Sequence, residues 1–218
     1  MIHQEATVRI PVGGVVVEGN LAVPSNSTSM VIFAHGSGSS RFSTRNKYVA
    51  KFLNAQKIGT LLFDLLTYEE DQADIETAEY RFNIDLLAER LIGATEWLKK
   101  DPTIKNLCFG YFGASTGAAA ALIAAAKLPH DIEAVVSRGG RPDLATEYLP
   151  KVTAPTLLLV GGLDTEVIEL NELAMEQMSA EKKLVIVPGA THLFGEPGKL
   201  EEVAKLSSDW FTRYLKSR

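Results

Sequence analysis

Gly113-Ala114-Ser115-Thr116-Gly117 sets one hydroxyl between two glycines. It follows the apolar run Leu107 to Phe112 and opens an alanine-rich segment, so the serine stands where a strand turns sharply into a helix. Such a turn pushes the hydroxyl outward, the glycines let strand and helix backbones approach, and the helix start adds partial positive charge where an oxyanion would develop. A purely structural Gly/Ser turn is the alternative. A serine hydroxyl is a weak nucleophile and needs a base. His3 precedes the first strand, and His130 enters the strand near Ala134 from its amino edge. His35 and His192 each follow a strand. His192, after Val187-Pro188-Gly189-Ala190-Thr191, is read as the base. His35, before Gly36-Ser37-Gly38, is read as a loop-ordering residue and substrate contact. The alternatives are a surface-capped His192 and exchanged roles.

The base needs a carboxylate to hold its tautomer. Asp164 follows Val160-Gly161-Gly162-Leu163, and Asp64 ends another strand. The chain order Ser115, Asp164, His192 favours Asp164; Asp64 is expected to satisfy loop donors. The developing oxyanion needs about two donors, expected from the Thr116 N–H and from Ser37 in the His35–Gly38 loop. That loop lacks a phosphate-loop lysine, and Arg41 stands where a dinucleotide loop needs its third glycine, so nucleotide binding is disfavoured. Arg41, Arg45 and Arg138 could form a cationic rim for a substrate carboxylate, against salt bridging to Asp143, Glu69 or Glu70, or simple solvation. Phe42, Tyr68, Phe112 and Phe194 are candidates for an acyl pocket, Phe112 being better suited to the core. The acidic stretch Glu69 through Glu79 has no metal-ligand spacing and reads as a solvated loop.

These residues need a frame. Thr7–Ile10 and Val15–Val23 read as a hairpin around Pro11-Val12-Gly13-Gly14. Short apolar runs follow at 30–34, 60–65, 107–112, 134–137, 156–160 and 184–187. Helical patterns alternate with them at 82–98, 115–128, 167–178 and 200–215. That alternation predicts right-handed crossovers and a mostly parallel sheet with helices on both faces. Ligands should then bind beyond the carboxyl ends of the strands, where every candidate above lies except His3 and His130. The interval 138–155 holds only a short helical piece near 143–149, too little for a full cap domain, which predicts an open site.

The chain has 218 residues with 46% hydrophobic and 22% charged, an ordinary globular composition. No repeat or composition break divides it, so one domain over 1–218 is expected. The single cysteine, Cys108, excludes an internal disulfide and reads as a core residue. Net charge is −5 with no dense Lys/Arg cluster, which argues against a nucleic-acid surface. Positions 107–126 carry no charge over a length that could span a bilayer, but three glycines and many alanines fit a strand turning into a helix better. No secretory pattern opens the chain, and a cytoplasmic location without membrane association is expected.

Ala34-His35-Gly36-Ser37-Gly38, Gly113-Ala114-Ser115-Thr116-Gly117, Gly161-Gly162-Leu163-Asp164 and Gly189-Ala190-Thr191-His192 together resemble the α/β-hydrolase fold, and within it the dienelactone hydrolase-like group. The resemblance implies a nucleophile–acid–histidine triad, no cofactor, and hydrolysis of esters, lactones or related acyl bonds. One departure stands out: dienelactone hydrolases proper use cysteine where this chain has Ser115. The expectation is a serine hydrolase acting on a small ester or lactone. The rivals are a non-catalytic ligand- or partner-binding protein on the same fold, and an acyltransferase or peptidase with the same triad.

Overall fold

The computed structural model describes residues 5–216, so His3 lies outside the described residues. Strands β1 (Ala6–Val12) and β2 (Val15–Ala22) form the expected hairpin. Gly13 and Gly14 turn it at φ of +53° and +82°, a conformation that two-residue hairpin turns demand and L side chains resist. Pro11 lies inside β1, tolerated because β1 is an edge strand. The remaining strands are β3 (Ser29–Ala34), β4 (Gly59–Phe63), β5 (Cys108–Ala114), β6 (Ile132–Arg138), β7 (Thr156–Gly161) and β8 (Lys182–Val187). They join one sheet in the order β1-β2-β4-β3-β5-β6-β7-β8, antiparallel through the β2–β4 pairing and parallel from β4 onward.

The helices are α1 (Thr44–Ala55), α2 (Tyr68–Thr77), α3 (Ile84–Leu98), α4 (Thr116–Lys127), α5 (Thr165–Gln177) and α6 (Lys199–Tyr214). One face of the sheet packs on Leu87 and Leu91 of α3, the alanines of α4, and Ala174 of α5. The other packs on Val49 and Leu53 of α1 and on Val203, Trp210 and Phe211 of α6. Covered on both faces, β3, β4, β5 and β7 are buried at every position. The uncharged run 107–126 resolves into β5 and α4, and among the described residues no helix is long and apolar enough to cross a membrane. Cys108 is buried in the α1/α6-side core.

Two segments differ from the sequence reading. Positions 44–55, given no element there, form α1 behind a Ser43 side chain that accepts the Asn46 N–H. The acidic stretch expected as a solvated loop is α2. Thr67 and Glu70 form a capping box at its start, and Glu69, Glu70 and Asp71 occupy its first turn, where the helix dipole favours negative charge. Its Asp74 is 3% exposed and accepts the Tyr80 and Arg81 N–H groups, both at C-terminal positions beyond the helix. The expected helical piece after β6 is a pair of short 3-10 turns, Pro142–Ala145 and Leu149–Lys151.

Candidate active site

Ser115 stands between β5 and α4 with φ +51° and ψ −122°. A non-glycine residue held there costs about 1–3 kcal/mol, which the surrounding contacts must offset. The Ser115 N–H donates to the Arg138 carbonyl at 3.2 Å, and its own carbonyl accepts from Ala118 at 3.0 Å and Arg141 at 3.2 Å. Both motif glycines are sterically forced. A Cβ on Gly113 would lie 2.3 Å from Ala118 Cα, and one on Gly117 would lie 2.3 Å from the Ala34 carbonyl oxygen. From Cys108 through Ala125, Ser115 is the one residue that is not fully buried. The turn thus lifts that hydroxyl, and nothing else of the segment, toward solvent.

Asp164 follows β7 and His192 follows β8. The two loops are tied by Gly162 N–H to Val187 O at 2.8 Å and Leu163 N–H to Ala190 O at 2.9 Å. Their close approach requires Gly161, where a Cβ would sit 2.4 Å from the Ala190 carbonyl oxygen. His192 Nδ1–H donates to Asp164 Oδ2 at 2.6 Å, with side-chain exposures of 37% and 16%. The imidazole edge lies over Gly139, next to the Arg138 carbonyl that holds Ser115. Its Nε2 has no hydrogen-bond partner among the described residues, and neither does Ser115 Oγ. The loop carries a clamp the sequence reading missed: Glu196 accepts the Thr191 N–H at 3.1 Å and the Thr191 hydroxyl at 2.6 Å. An acid five residues after Thr191 was the available signal.

The Thr116 N–H, at the first position of α4, is turned to no carbonyl among the described backbone bonds. The other expected donor is engaged: the Ser37 N–H donates to Thr116 Oγ1 at 3.1 Å, and the two hydroxyls lie 3.1 Å apart. A carbonyl oxygen entering there must displace the threonine hydroxyl.

Three expected substrate contacts are corrected. His35 is 8% exposed, with Nε2 accepting the Leu65 N–H at 3.0 Å and Nδ1–H donating to the Gly36 carbonyl at 3.0 Å. Both nitrogens are used, so the ring orders its loop and has no valence left for substrate; burial holds its pKa below the usual histidine value. Arg41 binds Asp64 through both its N–H and its guanidinium, and reaches Glu18 at 2.5 Å, so its charge is neutralised internally. Phe194, at φ +55°, turns inward and is 1% exposed within the α1/α6-side core. Arg138 also departs from the expected balance. It is 7% exposed and meets neither Asp143 nor Glu70, which are taken by Arg141 at 2.7 Å and Arg90 at 2.6 Å. Phe112 is core, stacked on Phe33 at 4.8 Å. Phe42 and Tyr68 are exposed and line a cleft of about 620 Å³ with His35, Arg41 and Asp64. Ser115 and His192 do not line that cleft. Ser115, Asp164 and His192 sit at the strand ends, outside the lining of that cleft.

Among the described residues no group of His, Cys, Asp and Glu is arranged to hold a metal ion. The model of the dienelactone hydrolase family matches residues 48–216. A crystal structure of a dienelactone hydrolase from Anabaena variabilis is 57% identical, covering 98% of this chain and 99% of that one, with a TM-score of 0.96. A Pyrococcus furiosus esterase, at 18% identity and a TM-score of 0.79 over 98% of this chain and 92% of that one, shares the fold. A Mycobacterium tuberculosis protein provisionally named a phosphoribosyl transferase is 53% identical over 212 residues, which are 97% of this chain and 47% of that protein. The chain therefore spans about half the length of that relative. An eight-stranded α/β-hydrolase sheet, a strained serine turn at its carboxyl edge and a family match over most of the sequence lead to one assignment: the chain belongs to the dienelactone hydrolase family.

Proposed function

We propose that this chain is a serine hydrolase that cleaves a small ester or lactone through an acyl-enzyme, with Ser115 as nucleophile, His192 as general base and Asp164 as its orienting carboxylate. The observation that carries the reading is the 2.6 Å Asp164–His192 hydrogen bond together with a serine held at φ +51°, all at the carboxyl edge of one sheet. With Nδ1–H committed to Asp164, the free His192 Nε2 is the tautomer's basic nitrogen, the one able to accept the Ser115 proton. Ser115 Oγ attacks the acyl carbon, and the negative charge moves to the carbonyl oxygen. The Thr116 N–H and the start of α4 stabilise it, and Ser37 joins them once Thr116 Oγ1 is displaced. The imidazolium returns the proton to the leaving alkoxide. A water deprotonated by the same nitrogen then attacks the acyl-serine and releases the acid. No step requires a cofactor. In apo structures such serine–histidine contacts are often longer than in the substrate complex, which accords with the open Ser115 Oγ.

The family and the lack of a full cap between β6 and β7 support a small ester or lactone. A fluorophosphonate probe followed by peptide mapping tests the nucleophile. Label on Ser115, absent in Ser115→Ala, is expected; label elsewhere moves the nucleophile. Tight binding of p-nitrophenyl esters without turnover would favour the non-catalytic reading instead.

A further inference from the structure

The buried face of α5 carries Val167, Asn171 and Ala174, each one turn from the next. Asn171 is the polar member of that face and is 0% exposed. A polar group there costs stability unless it is hydrogen-bonded. Its Nδ2 donates to two carbonyls, Val167 O at 2.7 Å one turn back and Gly140 O at 3.0 Å. Carbonyls only accept, so the amide nitrogen must face them. Its Oδ1 is left buried without a partner among the described residues. A leucine would leave no such orphan. The bond to Val167 stays within a helix already closed by its own ladder. What the asparagine adds is the bond to Gly140, 31 positions away.

Gly140 sits in the loop 138–141, which meets both the serine turn and the imidazole. On one side the Arg138 carbonyl accepts the Ser115 N–H at 3.2 Å, and the Arg141 N–H donates to the Ser115 carbonyl at 3.2 Å. The strained turn is bracketed by these two bonds. On the other side Gly139 backs the ring: a Cβ there would lie 3.3 Å from His192 Cε1 and 3.4 Å from Nδ1. The loop has little freedom at its middle, since a Cβ on Gly140 would meet Ser137 Oγ at 1.9 Å. The helix that supplies the anchor also begins at Asp164, its N-cap. One element therefore carries the carboxylate that holds His192 and, seven positions on, the amide that holds the loop behind it.

We propose that Asn171 is a positioning residue: by holding the Gly140 carbonyl it fixes the loop 138–141, and through that loop the relative placement of Ser115 and His192. The second clause rests on the hydrolase reading; the first does not.

Asn171→Leu keeps the branched shape and removes the donor. Asn171→Ala needs no new volume in the core and is measured beside it, in case leucine does not fit. Thr156→Val is the control, because it breaks another fully buried hydrogen bond, to the Ala154 carbonyl at 3.0 Å, at the amino end of β7. Hydrogen exchange of the full chain, read by NMR on the Gly139 and Arg141 amides, tests the anchor without turnover. Exchange about tenfold faster or more is expected in both Asn171 variants and not in the control, as for a locally loosened segment. Unchanged exchange, or equal acceleration in all three, overturns the anchor. Steady-state kinetics on p-nitrophenyl acetate test the second clause. A fall in kcat of about 10- to 100-fold, with KM moved less than about threefold, is expected for reacting groups misplaced by up to about 1 Å. The rate of fluorophosphonate labelling of Ser115 should fall with it. A kcat equal to wild type, or a loss matched by Thr156→Val at the same Tm, overturns the second clause. If wild type neither turns over the ester nor takes the label while exchange still depends on Asn171, the hydrolase reading fails and the anchor stands.

Discussion

The two halves of the sheet's carboxyl edge hold the same residue types with opposite fates. On the β3/β4 side, His35 and Asp64 each follow a strand; on the β7/β8 side, Asp164 and His192 do. His35 has both ring nitrogens committed to backbone, and Asp64 is saturated by Arg41. His192 has one nitrogen on Asp164 and one open, and it is more than a third exposed. The difference teaches that a histidine after a strand is available for proton transfer only if it leaves one valence unfilled, while a fully satisfied one is part of the scaffold. The same contrast runs through the arginines: Arg41 pairs with two carboxylates, and Arg138 pairs with none among the described residues.

The largest effect should come from the open side. Ser115→Ala or His192→Gln is expected to lower kcat on an activated ester by a factor on the order of 10⁶, as in other triads. His35→Gln should cost less than tenfold in a chain that still folds, and equal losses at the two histidines would erase the contrast. Asp164→Asn should lose about 10⁴ in kcat through the wrong tautomer. Asp64→Asn should act on stability instead, since it removes one of the two carboxylates that pair the partly buried Arg41 guanidinium: about 1–3 kcal/mol, read as a drop in Tm with kcat little changed. A rate collapse in Asp64→Asn would make it the working carboxylate.

The smallest effect is a pH dependence of stability. The His35 pKa is lower folded than unfolded, so the unfolded chain binds more protons as pH falls below about 6.5. Its contribution is therefore complete above that pH and is lost on acidification. Tm should decline between about pH 7 and pH 5, and the decline should flatten in His35→Gln, whose ring can no longer titrate. An identical slope in the two proteins would assign the decline to other groups.

Much of the frame was legible because its signals are local. Two buried faces make strands read as continuous apolar runs, and Gly113, Gly117 and Gly161 stand where a single methyl would strike backbone. The chain order of Ser115, Asp164 and His192 followed from the same frame. Helix α2 was misread because its charge drew more weight than the Thr67–Glu70 capping box, which was equally visible. The segment forming α1 has a Ser43 cap but only a weak apolar stripe, so periodicity alone passed over it.

What the sequence by itself determined was where side chains could project from the sheet's carboxyl edge, since strand ends and forced glycines depend on neighbours a few residues away. What only the tertiary structure decided was which of those groups remained unsatisfied. Asp64 reaches Arg41 across 23 positions, Leu65 reaches His35 across 30, and Ser37 reaches Thr116 across 79. Saturation of a donor or acceptor is settled by such distant partners. That is why Arg41, Arg45 and Arg138 look alike in sequence, while among the described residues only Arg41 finds carboxylates.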